Sequence, residues 1–157
     1  MSISSVKEYL KQFGMDSKVL EFDVSSATVD LAAKAVGVEP QRITKTLAFK
    51  SGDSCIVIAA AGDTKIDNKK FKSEFGFKAK MLSPEETLAL TGHAIGGVCP
   101  FDLPENVKSY MDVSMKRFET VFPACGSSNS AIELTPDELY NISSNTAKWI
   151  DVCKIPE

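Results

Sequence analysis

Residues 44–61 read "TKTLAFKSGDSCIVIAAA", two strand patterns joined by a turn. Period-two geometry places Lys45, Leu47 and Phe49 on one face of the first strand and Thr44, Thr46, Ala48 and Lys50 on the other. Cys55 to Ala61 is the longest apolar run in the chain, seven residues, and apolar content on both faces suits a strand at the centre of a sheet. With "SGDS" between them, the two segments read as a hairpin.

Outward from the hairpin, helix starts carry capping signals. Ser5-Val-Lys-Glu8 is a capping box opening a helix with Val6, Tyr9, Leu10 and Phe13 on one face, stopped by Gly14. Thr28 caps a second helix that runs to Gly37, and Asp67 caps a third ending near Gly76. Ser83-Pro-Glu-Glu86 and Thr135-Pro-Asp-Glu138 are further capping boxes with Pro at the first helical position. Residues 77–82, 107–115, 118–124, 130–134 and 147–153 read as strands, and three of these follow one another without a long helix between them. A pure βαβ repeat is therefore excluded. The expected fold class is α+β, with a mixed, mostly antiparallel, barrel-like sheet flanked by helices and one domain over residues 1–157.

The chain of 157 residues, 43% hydrophobic and 25% charged, has the balance of an ordinary soluble domain. A seven-residue apolar run is far short of the roughly 20 residues needed to cross a bilayer, and the first ten residues lack the marks of a signal peptide. A cytoplasmic protein with no membrane partner is expected. A net charge of −3 argues against coating nucleic acid by bulk electrostatics, and no DNA partner is expected. One local exception is Lys65 to Lys80, with six lysines against two acids: a solvated surface or a contact for RNA phosphates. The four cysteines form no CxxC pair and the chain has one histidine, so free thiols, no metal and no cofactor are expected.

Three places are candidates for chemistry. Lys45 tops an apolar face, either snorkelling from a strand end or holding its ammonium at a pocket mouth where low dielectric strengthens its pull on an anion. Residues 93–101, "HAIGGVCPF", place Gly96 and Gly97 where a ligand can approach main-chain N–H groups, and Pro100 fixes the loop exit. In the same stretch His93 and Cys99 suggest a nucleophile and base, although a buried structural thiol is the commoner role. Residues 124–134, "ACGSSNSAIEL", form a small-residue loop whose Ser127, Ser128, Asn129 and Ser130 can line a pocket or simply build a turn.

Taken in order and spacing, "VGVEPQRITKTLAFK", "GHAIGGVCPF" and "CGSSNSAIELTPDEL" resemble the YbaK/EbsC family, the prolyl-tRNA-synthetase-associated domain, over roughly residues 20 to 152. Members of that family are aminoacyl-tRNA deacylases that hydrolyse the ester of mischarged tRNA. The resemblance implies a free-standing trans-editing deacylase whose partners are the acceptor end of a mischarged tRNA and prolyl-tRNA synthetase. It implies a catalytic role for Lys45 and a substrate loop at Gly96, Gly97, Val98, Cys99 and Pro100, with His93, Ser127, Ser128 and Asn129 as further contacts. Two positions depart from the YbaK pattern: Ala131 stands at its acidic position, and Asp102 where a further glycine is usual. The alternatives to set against a deacylase are a non-catalytic tRNA- or synthetase-binding module and a Cys99 hydrolase.

Overall fold

A computed structural model describes residues 2–156. In chain order its elements are α1 (Ser2–Lys11), β1 (Leu20–Glu21), α2 (Val29–Val36), β2 (Ile43–Ser51), β3 (Ser54–Ala61), β4 (Lys65–Ile66), α3 (Asn68–Phe75), α4 (Pro84–Thr91), β5 (Lys108–Asp112), β6 (Phe122–Pro123), β7 (Ser130–Ala131), α5 (Pro136–Ile142), β8 (Thr146–Ile150) and β9 (Cys153–Lys154). The expected hairpin is formed by β2 and β3, in register from Thr44 opposite Ala61 to Ser51 opposite Ser54. Gly52 takes a φ of 58° at the first position of the two-residue loop, a conformation that hairpin turns of this length need.

The main sheet has the order β6-β2-β3-β5-β8 and is curled. The sheet is mixed, as expected, but not mostly antiparallel: the hairpin supplies its one antiparallel pairing. Strand β5 joins β3 and β8 joins β5 in parallel, because connections containing α3 and α4, and then α5, carry the chain back to the same end; β6 pairs in parallel with β2 at the other edge. Two further ribbons, β1 with β7 and β4 with β9, are antiparallel.

Strand β3 is buried on both faces, as a central strand should be. Ile56, Ile58 and Ala60 pack with Phe49 of β2, Phe71 of α3 and Val152. Ala59 and Ala61 meet the other large cluster, built from Val6 and Leu10 of α1, Phe101, Met111, Met115 and Leu139 of α5.

Four of the five predicted helix starts hold. Thr28, Asp67, Ser83 and Thr135 cap α2, α3, α4 and α5, the last two as complete capping boxes. The exception is α1, which begins at Ser2, so Ser5 lies inside it. Among the strands, residues 77–82 contribute a single bridge, Met81 opposite Phe49, and 107–115 turn into a 3-10 helix after Asp112. There the Asp112 carboxylate accepts the Ser114 N–H at 3.0 Å, a local bond that competes with the ladder. The expected strand over 118–124 shrinks to Phe122–Pro123, since Pro123 has no N–H to continue it. The expected strand over 147–153 divides into β8, which is an edge of the sheet, and the start of β9, which pairs with β4.

Candidate functional site

Lys45 leaves β2 on the same face as Leu47 and Phe49, and its ammonium donates to the backbone carbonyl of Thr64. Burial holds its pKa below the ordinary lysine value, while the Cys153 thiol and Asp63 oppose that shift and Lys65 adds to it. Asp63 is itself held by Arg117 in a two-pronged contact of 2.7 and 3.2 Å. The Thr64 carbonyl is fixed by a chain of bonds reaching deep into the core. Thr64 Oγ1 donates to the Ala61 carbonyl at 2.7 Å, and the Ala61 N–H donates to Ser114 Oγ at 3.2 Å. The Ser114 N–H and the Val152 N–H then donate to the two oxygens of buried Asp112 at 3.0 and 2.9 Å. An ammonium at a strand end is thereby placed by groups that cannot move independently.

Lys45 forms part of the wall of a cleft of about 220 Å³. One side is β2 from Ile43 to Ala48; facing it are Ser26 to Val29 at the start of α2, the loop residues Ile95, Gly96 and Val98, and Ser130 with Ala131 of β7. Met81 and Ile95 at its edge are 56% and 57% exposed, giving the cleft an apolar rim. The first N–H groups of α2 project from its N-terminus, the positive end of the helix dipole. Thr46 also lines the cleft, and its Oγ1 is buried without a hydrogen-bond partner among the described residues.

The two glycines of the 93–101 loop serve different ends. Gly96 has a φ of 92°, and a Cβ there would lie 3.2 Å from that of Ala27; it lines the cleft. The N–H groups of Gly96 and Val98 have no hydrogen-bond partner among the described residues. The Gly97 N–H, in contrast, donates to the Ala94 carbonyl at 3.0 Å. A Cβ on Gly97 would lie 2.7 Å from the Ser127 nitrogen, so this residue is glycine because the 124–130 loop packs against its backbone. The expected cradle is reduced to Gly96 and Val98.

His93, Cys99 and Pro100 do not line the cleft. His93 is 1% exposed, and its Nε2 lies 2.8 Å from the Phe101 carbonyl. That acceptor requires a proton on Nε2, and burial lowers the pKa so that the ring is neutral near pH 7. Cys99 Sγ is 3.5 Å from the same nitrogen, which is already protonated and cannot take the thiol proton. Burial pushes that thiol up to about 12, and Cys99 is fully buried. A Cys99 hydrolase is therefore incompatible with this geometry. Pro100 is also buried, and its carbonyl accepts the Ser144 N–H at 2.7 Å.

Ser127, Ser128 and Asn129 build their loop and do not line the cleft. Ser127 Oγ reaches Asn129 Oδ1 and Ser130 Oγ at 2.9 and 2.8 Å. The Ser128 and Asn129 carbonyls accept the N–H groups of Ser26 and Phe22 at 2.6 and 2.8 Å. This stitching brings Ser26 to Val29 against the cleft. Of the expected residues, Lys45, Gly96, Val98 and Ser130 come together there; Ser26 to Val29 and Thr46 were missed. The only sequence signal for the first group was the small-residue run Ser25-Ser26-Ala27-Thr28 ahead of a capped helix.

Residues 24–142 match the family model described as the aminoacyl-tRNA editing domain. The chain belongs to the aminoacyl-tRNA editing domain family. The part of this editing domain that matches includes β2, the 93–101 loop and β7. It is similar to the uncharacterized protein YwhH of Bacillus subtilis (strain 168), at 58% identity over 98% of both chains. A second relative, EbsC of Enterococcus faecalis, is named as a candidate Cys-tRNA(Pro)/Cys-tRNA(Cys) deacylase; identity is 25%, covering 74% of this chain and 73% of that protein. A solved structure described as a candidate trans-editing enzyme for prolyl-tRNA synthetase superposes with a TM-score of 0.83 at 30% identity, covering 98% and 97% of the two chains. Among the described residues of the editing domain, no three His, Cys, Asp or Glu side chains gather as a metal site. Among the described residues no helix is long and apolar enough to cross a membrane.

Proposed function

We propose that this editing domain acts in the cytoplasm as a trans-editing deacylase, hydrolysing the ester that joins a small wrong amino acid to the 3′ end of tRNA, with tRNA for proline as the first candidate. The observation that supports this most is the meeting of Lys45, the unpartnered N–H groups of Gly96 and Val98, and the α2 N-terminus around one small cleft. Its volume of about 220 Å³ is below the roughly 300 to 1,000 Å³ of sites for drug-sized ligands, a size suited to a short side chain and its ester.

An aminoacyl ester is already activated, so no covalent nucleophile is needed. Water attacks the carbonyl; the C–O bond to the ribose breaks, that oxygen takes up the proton the water loses and leaves as a hydroxyl, and the amino acid departs with a free carboxyl group. The growing negative charge on the carbonyl oxygen is met by donors fixed in advance, worth about 2.7 to 4 kcal/mol each in comparable sites. Lys45 and the loop N–H groups are such donors. The biological need is set by size discrimination: one methylene distinguishes substrates by only about 1 to 3 kcal/mol, so a synthetase passes near-isosteric amino acids to a second site. The test is a panel of tRNAs for proline charged with Ala, Ser, Thr, Cys or 2-aminobutyrate, with wild type and Lys45→Ala. Hydrolysis of at least one by wild type and none by the variant is expected; no hydrolysis with retained tRNA binding makes the protein a binding module.

A further inference from the structure

We infer that the β4–β9 ribbon is the contact surface for the phosphate backbone of the tRNA acceptor end, with Lys65, Lys154 and Lys69 as its phosphate ligands. This rests on the deacylase reading for its partner. Strand β4 pairs with β9 so that Lys65 lies directly opposite Lys154. Like charges facing each other across two strands repel and weaken the pair, and a bound polyanion turns that repulsion into attraction.

The ribbon adjoins the cleft. Lys45 donates to the carbonyl of Thr64, the residue before Lys65, and Lys65 is close enough to depress the Lys45 pKa. A strand of RNA whose 3′ end occupies the cleft meets these lysines as it leaves. All three are exposed, as is Lys70, which follows Lys69 on α3.

The acids nearby are already engaged. Asp67 accepts the backbone N–H groups of Lys69 and Lys70 at 3.0 and 3.1 Å, bonds that together with the charge of Lys154 hold its pKa below the ordinary aspartate value. Asp151 binds the Lys70 ammonium at 3.0 Å, and Glu74 binds Lys148 at 2.7 Å. Among the described residues no ion pair neutralises Lys65, Lys69 or Lys154. In a chain of net charge −3, this is a local cationic strip continuous with the wall of the cleft.

The test compares wild type, Lys154→Gln, Lys65→Gln/Lys154→Gln and, as a control, Lys34→Gln on the far part of α2. Binding of uncharged tRNA for proline is titrated against salt. KM and kcat are measured for the mischarged tRNA and for its 3′-terminal aminoacyl-CCA trinucleotide. Removing one lysine that neutralises a phosphate reduces the slope of log K against log salt by about 0.7 to 0.9. The double variant is therefore expected to lower the slope by about 1.5, weaken tRNA binding roughly tenfold or more at 0.1 M salt, and raise KM for tRNA with little change in kcat. The trinucleotide, too short to reach the ribbon, is expected to react unchanged.

An unaltered salt slope and KM in the double variant overturn the inference and leave the lysines as charges that keep a short ribbon from pairing with other chains. Equal losses with tRNA and trinucleotide also overturn it, because the effect would then lie in the cleft. Wild type that binds tRNA but hydrolyses neither substrate refutes the deacylase reading, and the salt slope still decides the ribbon.

Discussion

Replacing Gly97 with Ala separates a glycine needed for packing from one needed by a ligand. An added Cβ would lie 2.7 Å from the Ser127 nitrogen, 2.8 Å from the Gly126 carbonyl carbon and 2.9 Å from that of Ser127. All three are backbone atoms, so no rotamer change relieves the clash. One loop must move, and the 124–130 loop is tied by Ser128 to Ser26, by Asn129 to Phe22, and by Ser130 Oγ to the Cys125 N–H. Overpacking of this kind costs about 1 to 3 kcal/mol, and for a chain of this length each kcal/mol lowers Tm by roughly 2 to 4 °C. A fall of about 2 to 12 °C by calorimetry is expected. Displacement of Gly96 and Val98 should also cut kcat/KM for deacylation. Gly37→Ala is the comparison: its φ is 85° with nothing within 4 Å of the added Cβ, so it loses only about 1 to 2 kcal/mol of backbone conformational energy. It lies at the opposite end of α2 from the cleft, so activity should hold. A Gly97→Ala protein with wild-type Tm and wild-type activity would refute the packing argument.

Other consequences follow from the same geometry. Asp112→Asn turns one of two accepting oxygens into a donor facing a backbone N–H, at a cost of about 2 to 3 kcal/mol; Tm should fall, and deacylation should fall too because the Thr64 carbonyl loses its support. Cys99→Ala should keep deacylation within about threefold while losing stability to a small cavity, and an inactive but folded variant would revive the thiol reading. His93 has a folded pKa below the 6.5 of the unfolded chain, so its contribution to stability is complete above pH 6.5 and is lost as pH falls through the folded value. Between pH 7 and 5 the Tm of wild type should therefore drop more than that of His93→Gln, as thermal melts at several pH values will show. Thr46→Val removes a buried hydroxyl with no partner and should raise Tm by about 2 to 4 °C, from about 1 kcal/mol.

The hairpin and four helix caps were legible because each rests on local chemistry: alternation over 44–50, an unbroken apolar run over 55–61, and cap side-chain oxygens at Thr28, Asp67, Ser83 and Thr135, the last two followed three residues later by Glu. The short strands were found but drawn too long, since Phe122–Pro123 and Ser130–Ala131 are held by single neighbouring strands and by a proline that ends one of them. Parallel pairing of β5 and β8 is a property of the whole chain path, with no local mark. In the site, Lys45 was found because a charge on an apolar strand face is conspicuous. Gly96 and Gly97 looked equivalent, and only the packing of the 124–130 loop tells them apart. Ser26 to Val29 escaped because bonds to Ser128 and Asn129, about a hundred residues away, bring them to the cleft.

The most direct measurement is single-turnover hydrolysis of alanine from the tRNA for proline, with enzyme in excess, by wild type and by Lys45→Met, which keeps the length of the side chain without its charge. If the ammonium meets charge developing on the ester, the rate constant at saturating enzyme should fall by about 10² to 10³, with tRNA binding changed far less. A Lys45→Met protein that hydrolyses the ester at the wild-type rate would contradict the account.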